Sequence, residues 1–94
     1  MNEIELLVSQ LHQAQNGRDL IVENLLKNCA KIYRHLPRED KGNFLMQIGE
    51  SLHQETYSAL AMTSWNYALN YFTQNGDKKG EFACYTTIGN TNIN

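Results

Sequence analysis

Three groups of side chains in this 94-residue chain are of types that could do chemistry. Glu50 and His53 form a Glu-x-x-His, which on a helix puts a carboxylate and an imidazole on one face, as in the paired iron centres of helical bundles. Those centres need two such motifs and two further glutamates; the second motif is absent, and His12 and His35 are scattered, so no metal site is expected. Cys29 and Cys84 would be nucleophiles only with a nearby His and a lowered thiol pKa. Both fall on apolar stripes, where burial raises the pKa, and they read as small buried residues and not as a disulfide. Lys78-Lys79-Gly80 is a short basic turn, but a phosphate-cradling loop follows a strand and this one lies between helical patterns. No catalytic residue, no metal and no cofactor are therefore expected, and the chain is not read as an enzyme.

Composition narrows the remaining classes. Eight basic and ten acidic residues give a net charge of -2, which favours neither nucleic acid nor an anionic membrane surface. An apolar fraction of 41% and a charged fraction of 19% are those of a folded domain, and no apolar run approaches a membrane span. The start, Met1-Asn2-Glu3-Ile4-Glu5, is acidic where a signal peptide is basic, so a cytoplasmic location is expected.

The elements that must position any site are helical. Apolar residues recur at helical spacing, and no segment alternates as a strand does. A first helix is expected from about Asn2 to Gln15, with the stripe Ile4, Leu7, Val8 and Leu11, stopped by Asn16-Gly17. A second runs from Arg18-Asp19 toward Leu36 with Ile21, Val22, Leu25, Leu26, Cys29, Ile32 and Tyr33, and Pro37 ends it. A third spans Lys41 to Gln54 with Asp40 as N-cap; a fourth runs from Thr56 or Tyr57 to Gln74, closed by a left-handed Gly76. Asp77 caps a fifth from Lys78, which fades at Asn90.

Two of these helices share a device. Ile48-Gly49 and Ile88-Gly89 stand 40 residues apart, each on an apolar stripe. Gly costs about 1 kcal/mol relative to Ala inside a helix, so its presence there marks close approach of another backbone. Ala61, Trp65, Ala68, Leu69 and Phe72 lie between the pairs at helical spacing. Lys41-Gly42-Asn43-Phe44 answers Lys79-Gly80-Glu81-Phe82 at an offset of 38, so one two-helix unit begins to repeat.

Residues 41–94 resemble tetratricopeptide repeats of the longer variety, about 40 residues per unit. The resemblance rests on Gly76-Asp77-Lys78-Lys79-Gly80-Glu81 followed by Ile88-Gly89-Asn90, on Ala61, Trp65 and Ala68, and on Leu45, Ile48, Gly49 and Leu52. Asn92 departs from the large residue usual there, and residues 1–40 match only as a generic helix pair. The implied fold is all-α: antiparallel helix pairs stacked as a short right-handed superhelix of about five helices. The expected organisation is one helical-repeat domain over 1–94, with a degenerate pair at 1–40, a repeat unit at 41–76 and the first helix of a further unit at 77–94.

The resemblance implies binding of a peptide or partner protein on a concave helical face. Position by position, that face would hold Asn43, Met46, Glu50, His53 and Gln54, then Ala83, Thr86 and Asn90, with Glu5, Ser9 and His12 by weaker matching. The subclass that grips a terminal carboxylate is not expected, because of its Lys and Asn set only Asn90 is present. Stacked repeats cover their last apolar face, and Tyr85, Ile88 and Ile93 have no following helix to do so. Either the chain belongs to a longer array or two copies cover each other as a homodimer, which makes a self-associating scaffold the alternative to a peptide-binding module.

Overall fold

The structure, a computed structural model, describes residues 1–14 and 19–92. Those residues form five α-helices and no strand: α1 Glu3–Ala14, α2 Leu20–Arg34, α3 Arg38–Gln54, α4 Ser58–Asn75 and α5 Lys78–Asn92. The expected all-α class and helix number hold. The chain divides into two compact units, Met1–Leu36 and Pro37–Asn94. Among the described residues no helix is long and apolar enough to cross a membrane.

In the first unit, α1 opens with a reciprocal cap. The Asn2 amide donates to Glu5 Oε1 at 2.9 Å and the Glu5 amide donates to Asn2 Oδ1 at 3.0 Å, so each satisfies a donor that the helix start leaves open. Ile4, Leu7 and Leu11 of α1 are buried with Val22, Leu26, Ala30 and Tyr33 of α2, each set at helical spacing. The Tyr33 hydroxyl donates to Glu3 Oε1 at 2.9 Å, which lets a phenol be fully buried. Asp19 caps α2 by accepting from the Val22 amide. The expected stop at Asn16-Gly17 lies outside the described residues. The broad apolar stripe read on α2 is divided: Ile21, Leu25 and Ile32 are exposed, because α1 covers only one side of it. α2 also ends at Arg34, three residues before Pro37, in a tightened turn in which His35 and Leu36 donate to Ile32 and Tyr33.

In the second unit, α3 starts at Arg38, earlier than the expected Lys41. Pro37 occupies the N-cap, and Asp40 lies in the first turn beside Glu39, where negative charge suits the helix dipole. α3 and α4 end in the same motif. The Thr56 and Tyr57 amides donate to His53 and Leu52 carbonyls, and the Gly76 and Asp77 amides to those of Thr73 and Phe72. The motif needs a left-handed residue at its corner. Gly76 supplies it as read from the sequence, and Thr56, with φ of 70°, supplies it at the end of α3. Asp77 caps α5 by accepting from the Gly80 amide at 3.0 Å. α5 continues to Asn92, past the expected fading point at Asn90.

The α3–α4 contact is the centre of this unit. Gly42, Leu45, Ile48, Gly49 and Leu52 of α3 are buried, as are Leu60, Ala61, Ser64, Trp65, Ala68 and Phe72 of α4. A side-chain carbon on Gly49 would stand 2.5 Å from Trp65 Cδ1 and 2.8 Å from Cε2, so only glycine admits the indole. The Trp65 Nε1–H donates to the Met46 carbonyl and the Ser64 hydroxyl donates to that of Leu45. Phe72 is held between two glycines: a carbon added to Gly42 would lie 2.7 Å from its Cε1, and one added to Gly80 would lie 2.5 Å from its Cγ. The glycines repeated at an offset of 38 thus grip one ring, from α3 and from α5.

Candidate functional site

Two surfaces of the second unit are candidates. The first spans α3 and α5, which meet where the Cys84 thiol lies 3.3 Å from Met46 Sδ and 3.8 Å from the Trp65 carbonyl. Asn43 and Glu50, one helical turn to either side of half-buried Met46, are exposed, and so is Gln54. His53 is exposed with its ring tilted against Trp65, centroids 5.9 Å apart, and its Nδ1 lies 3.4 Å from Ser58 Oγ. Ala83, Thr86 and Asn90 of α5 are exposed. This surface is polar, and its one charge among these residues is Glu50.

The weaker candidates of the first unit have other employment. Glu5 closes the cap of α1, and His12 Nε2 lies 2.7 Å from Glu23 Oε1; Ser9 is exposed. Glu23 was not singled out in the sequence, yet it is buried, and Lys27 also donates to it at 2.9 Å. Its position beside Val22 on the buried stripe of α2 was the available signal. A cavity of about 350 Å3 opens between α1 and α2, with Val8 and Ala30 in its lining and Lys27, Lys31 and Arg34 around it.

The second surface is the outer stripe of α5. Subtracting 40 from Phe82, Tyr85, Ile88, Gly89 and Asn92 gives Gly42, Leu45, Ile48, Gly49 and Leu52, the five residues of α3 that α4 helps to bury. On α5 the first four of these positions are open: Phe82 is 73% exposed, Tyr85 61%, Ile88 is half-buried, and a side chain on Gly89 would meet nothing within 4 Å. The close approach read for both Ile-Gly pairs therefore exists at Gly49 and not at Gly89. Of the proposed self-association residues, Tyr85 and Ile88 lie on this stripe, and Ile93 lies outside the described residues. Phe82 is not among the residues the sequence singles out for self-association; the same subtraction that pairs Gly89 with Gly49 pairs it with Gly42 and is the signal that places it here.

Neither cysteine suits nucleophilic chemistry. Both are free thiols; burial pushes Cys84 up to about 11 and raises Cys29 as well. Among the described residues no group of three or more His, Cys, Asp or Glu side chains is placed to hold a metal ion.

Compared with known protein families, curated proteins and solved structures, the chain matches none.

Proposed function

We propose that this chain is a protein–protein interaction module and that its principal docking surface is the outer stripe of α5. The observation that carries the reading is the correspondence of Tyr85, Ile88 and Gly89 to Leu45, Ile48 and Gly49 on the α3 face covered by α4, together with the exposure of Phe82 and Tyr85. Exposed polar residues such as Asn43, Glu50 and Asn90 are at home in water and need no partner. Two adjacent aromatic rings in water are different. Covering both is worth roughly 4–6 kcal/mol gross at about 25 cal/mol per Å2, before the cost of association. The repeat-like pattern shared by α3 and α5 supports the same reading, whereas the tetratricopeptide resemblance of residues 41–94 supports an interaction module that binds on the polar concave face.

The polar α3–α5 surface is the second reading, supported by the Met46–Cys84 contact that sets Asn43 and Glu50 beside the polar residues of α5. Co-purification of the tagged chain with Tyr85→Asp, against the same chain with Glu50→Lys, separates the two. Loss of bound protein with Tyr85→Asp and retention with Glu50→Lys is the expected result; the reverse transfers the function to the polar surface.

A further inference from the structure

We infer that the outer stripe of α5 receives an uncharged amphipathic helix that inserts a large aromatic side chain at Gly89. The inference rests on the interaction reading above and names its partner. The structure already contains one instance of the arrangement. On α3, Ile48-Gly49 meets α4, and what fills the space beside Gly49 is the indole of Trp65, with Ala61 one turn before it and Ala68 three residues after it, both buried. On α5, Ile88-Gly89 repeats the pair at the same separation from its neighbours, and the space beside Gly89 is open.

A glycine within a helix is unfavourable unless something occupies the room it leaves. At Gly42, Gly49 and Gly80 that something is an aromatic ring of α4. Gly89 is the helical glycine of this unit that lacks one, although Phe82, Tyr85 and Ile88 on the same stripe are apolar. The chemistry of the occupant follows from the stripe. From Phe82 to Asn92 there is no charged residue, and α4, which covers the equivalent face, has none over its whole length. A charged face docked here would be desolvated without compensation. Small residues one turn from the inserted ring allow the two backbones to approach, as Ala61 and Ala68 do for α4. Phe82 and Tyr85 then flank the ring's entry and are covered with it.

The test uses the full 94-residue chain and, as probe, a hydrocarbon-stapled, fluorescently labelled peptide of residues 58–71 of this same sequence, which keeps Ala61, Trp65 and Ala68 and leaves out Phe72, whose place on α3 is made by Gly42 where α5 carries Phe82. Binding is followed by fluorescence polarisation, with solution mass measured in parallel. The expected result is saturable binding to a monomeric chain, weakened at least about tenfold by Trp65→Ala in the peptide. Gly89→Leu in the chain should abolish it while leaving the melting temperature undiminished, since the added side chain meets open space. Equal binding to the Gly89→Leu chain, indifference to the peptide's Trp, or no binding overturns the inference. So does a dimer that Gly89→Leu dissociates, because the occupant is then a second copy of α5 and not an α4-like helix. Each of these outcomes leaves the interaction reading to be decided by Tyr85→Asp and Glu50→Lys.

Discussion

Gly49 and Trp65 fit one another so closely that a single methyl group on the glycine would stand 2.5 Å from the indole Cδ1. Trp65 is 1% exposed and its Nε1–H is bonded to the Met46 carbonyl, so the ring cannot retreat without breaking that bond. The glycine 40 residues later meets nothing.

The two positions should therefore answer the same substitution with opposite signs. Gly49→Ala gains about 1 kcal/mol of helix propensity and loses about 1–3 kcal/mol to overpacking, for a net destabilisation. Gly89→Ala keeps the gain alone and should stabilise by up to about 1 kcal/mol. Urea unfolding of both variants measures this, and a destabilised Gly89→Ala would mean that its side already has an occupant in solution.

Thr56 and Gly76 occupy the same corner of the same helix-ending motif, and only the glycine is suited to it. A β-branched residue at φ of 70° is strained. Thr56→Gly should raise stability by about 1 kcal/mol, whereas Gly76→Thr should lower it by a similar amount. Thermal melts of the pair of variants give both signs in one experiment.

Glu23 is a carboxylate out of water, held by His12 and Lys27. Glu23→Ala should destabilise by about 1–3 kcal/mol and His12→Ala by about 1 kcal/mol, with the double variant costing less than the sum because the two share one interaction. A double-mutant cycle in urea reads the coupling, and strict additivity would show that the contact contributes nothing.

Cys84 sets a limit on alkaline stability. Its folded pKa, about 11, lies above the ordinary 9.0 because burial disfavours the thiolate. The folded state therefore holds its proton more tightly than the unfolded chain does. Its contribution is complete below pH 9 and is lost as pH rises from about 9 through 11. Unfolding free energy should fall more steeply over that range than in Cys84→Ala, and at pH 8 the native thiol should alkylate more slowly than the half-buried Cys29.

Much of this fold was legible because its punctuation is local. Gly76 and Asp77 mark a helix junction by their own conformational preferences, and the stripe through Leu45, Ile48, Gly49 and Leu52 announces a buried face by spacing alone. Other features depend on distant residues. Whether Gly49 or Gly89 has a ring beside it depends on another helix, not on the Ile-Gly pair. Ile21, Leu25 and Ile32 extend an apolar stripe as well as Val22 and Leu26 do, and only the position of α1 separates the exposed set from the buried one. The burial of Glu23 likewise depends on His12, eleven residues upstream, whose Nε2 lies against its carboxylate. The left-handed Thr56 had no signal, since its type argues against the conformation it adopts. The candidate surface was half legible: the uncovered last apolar face named Tyr85 and Ile88, but Phe82 joins them only once the covered residues of α3 are known.

The most direct measurement is site-specific photo-crosslinking in the cell that makes the chain, with a benzophenone side chain placed at Tyr85 in one version and at Glu50 in another. The account predicts a discrete adduct from position 85, abolished by Phe82→Asp, and none from position 50. An adduct from position 50 alone would contradict it.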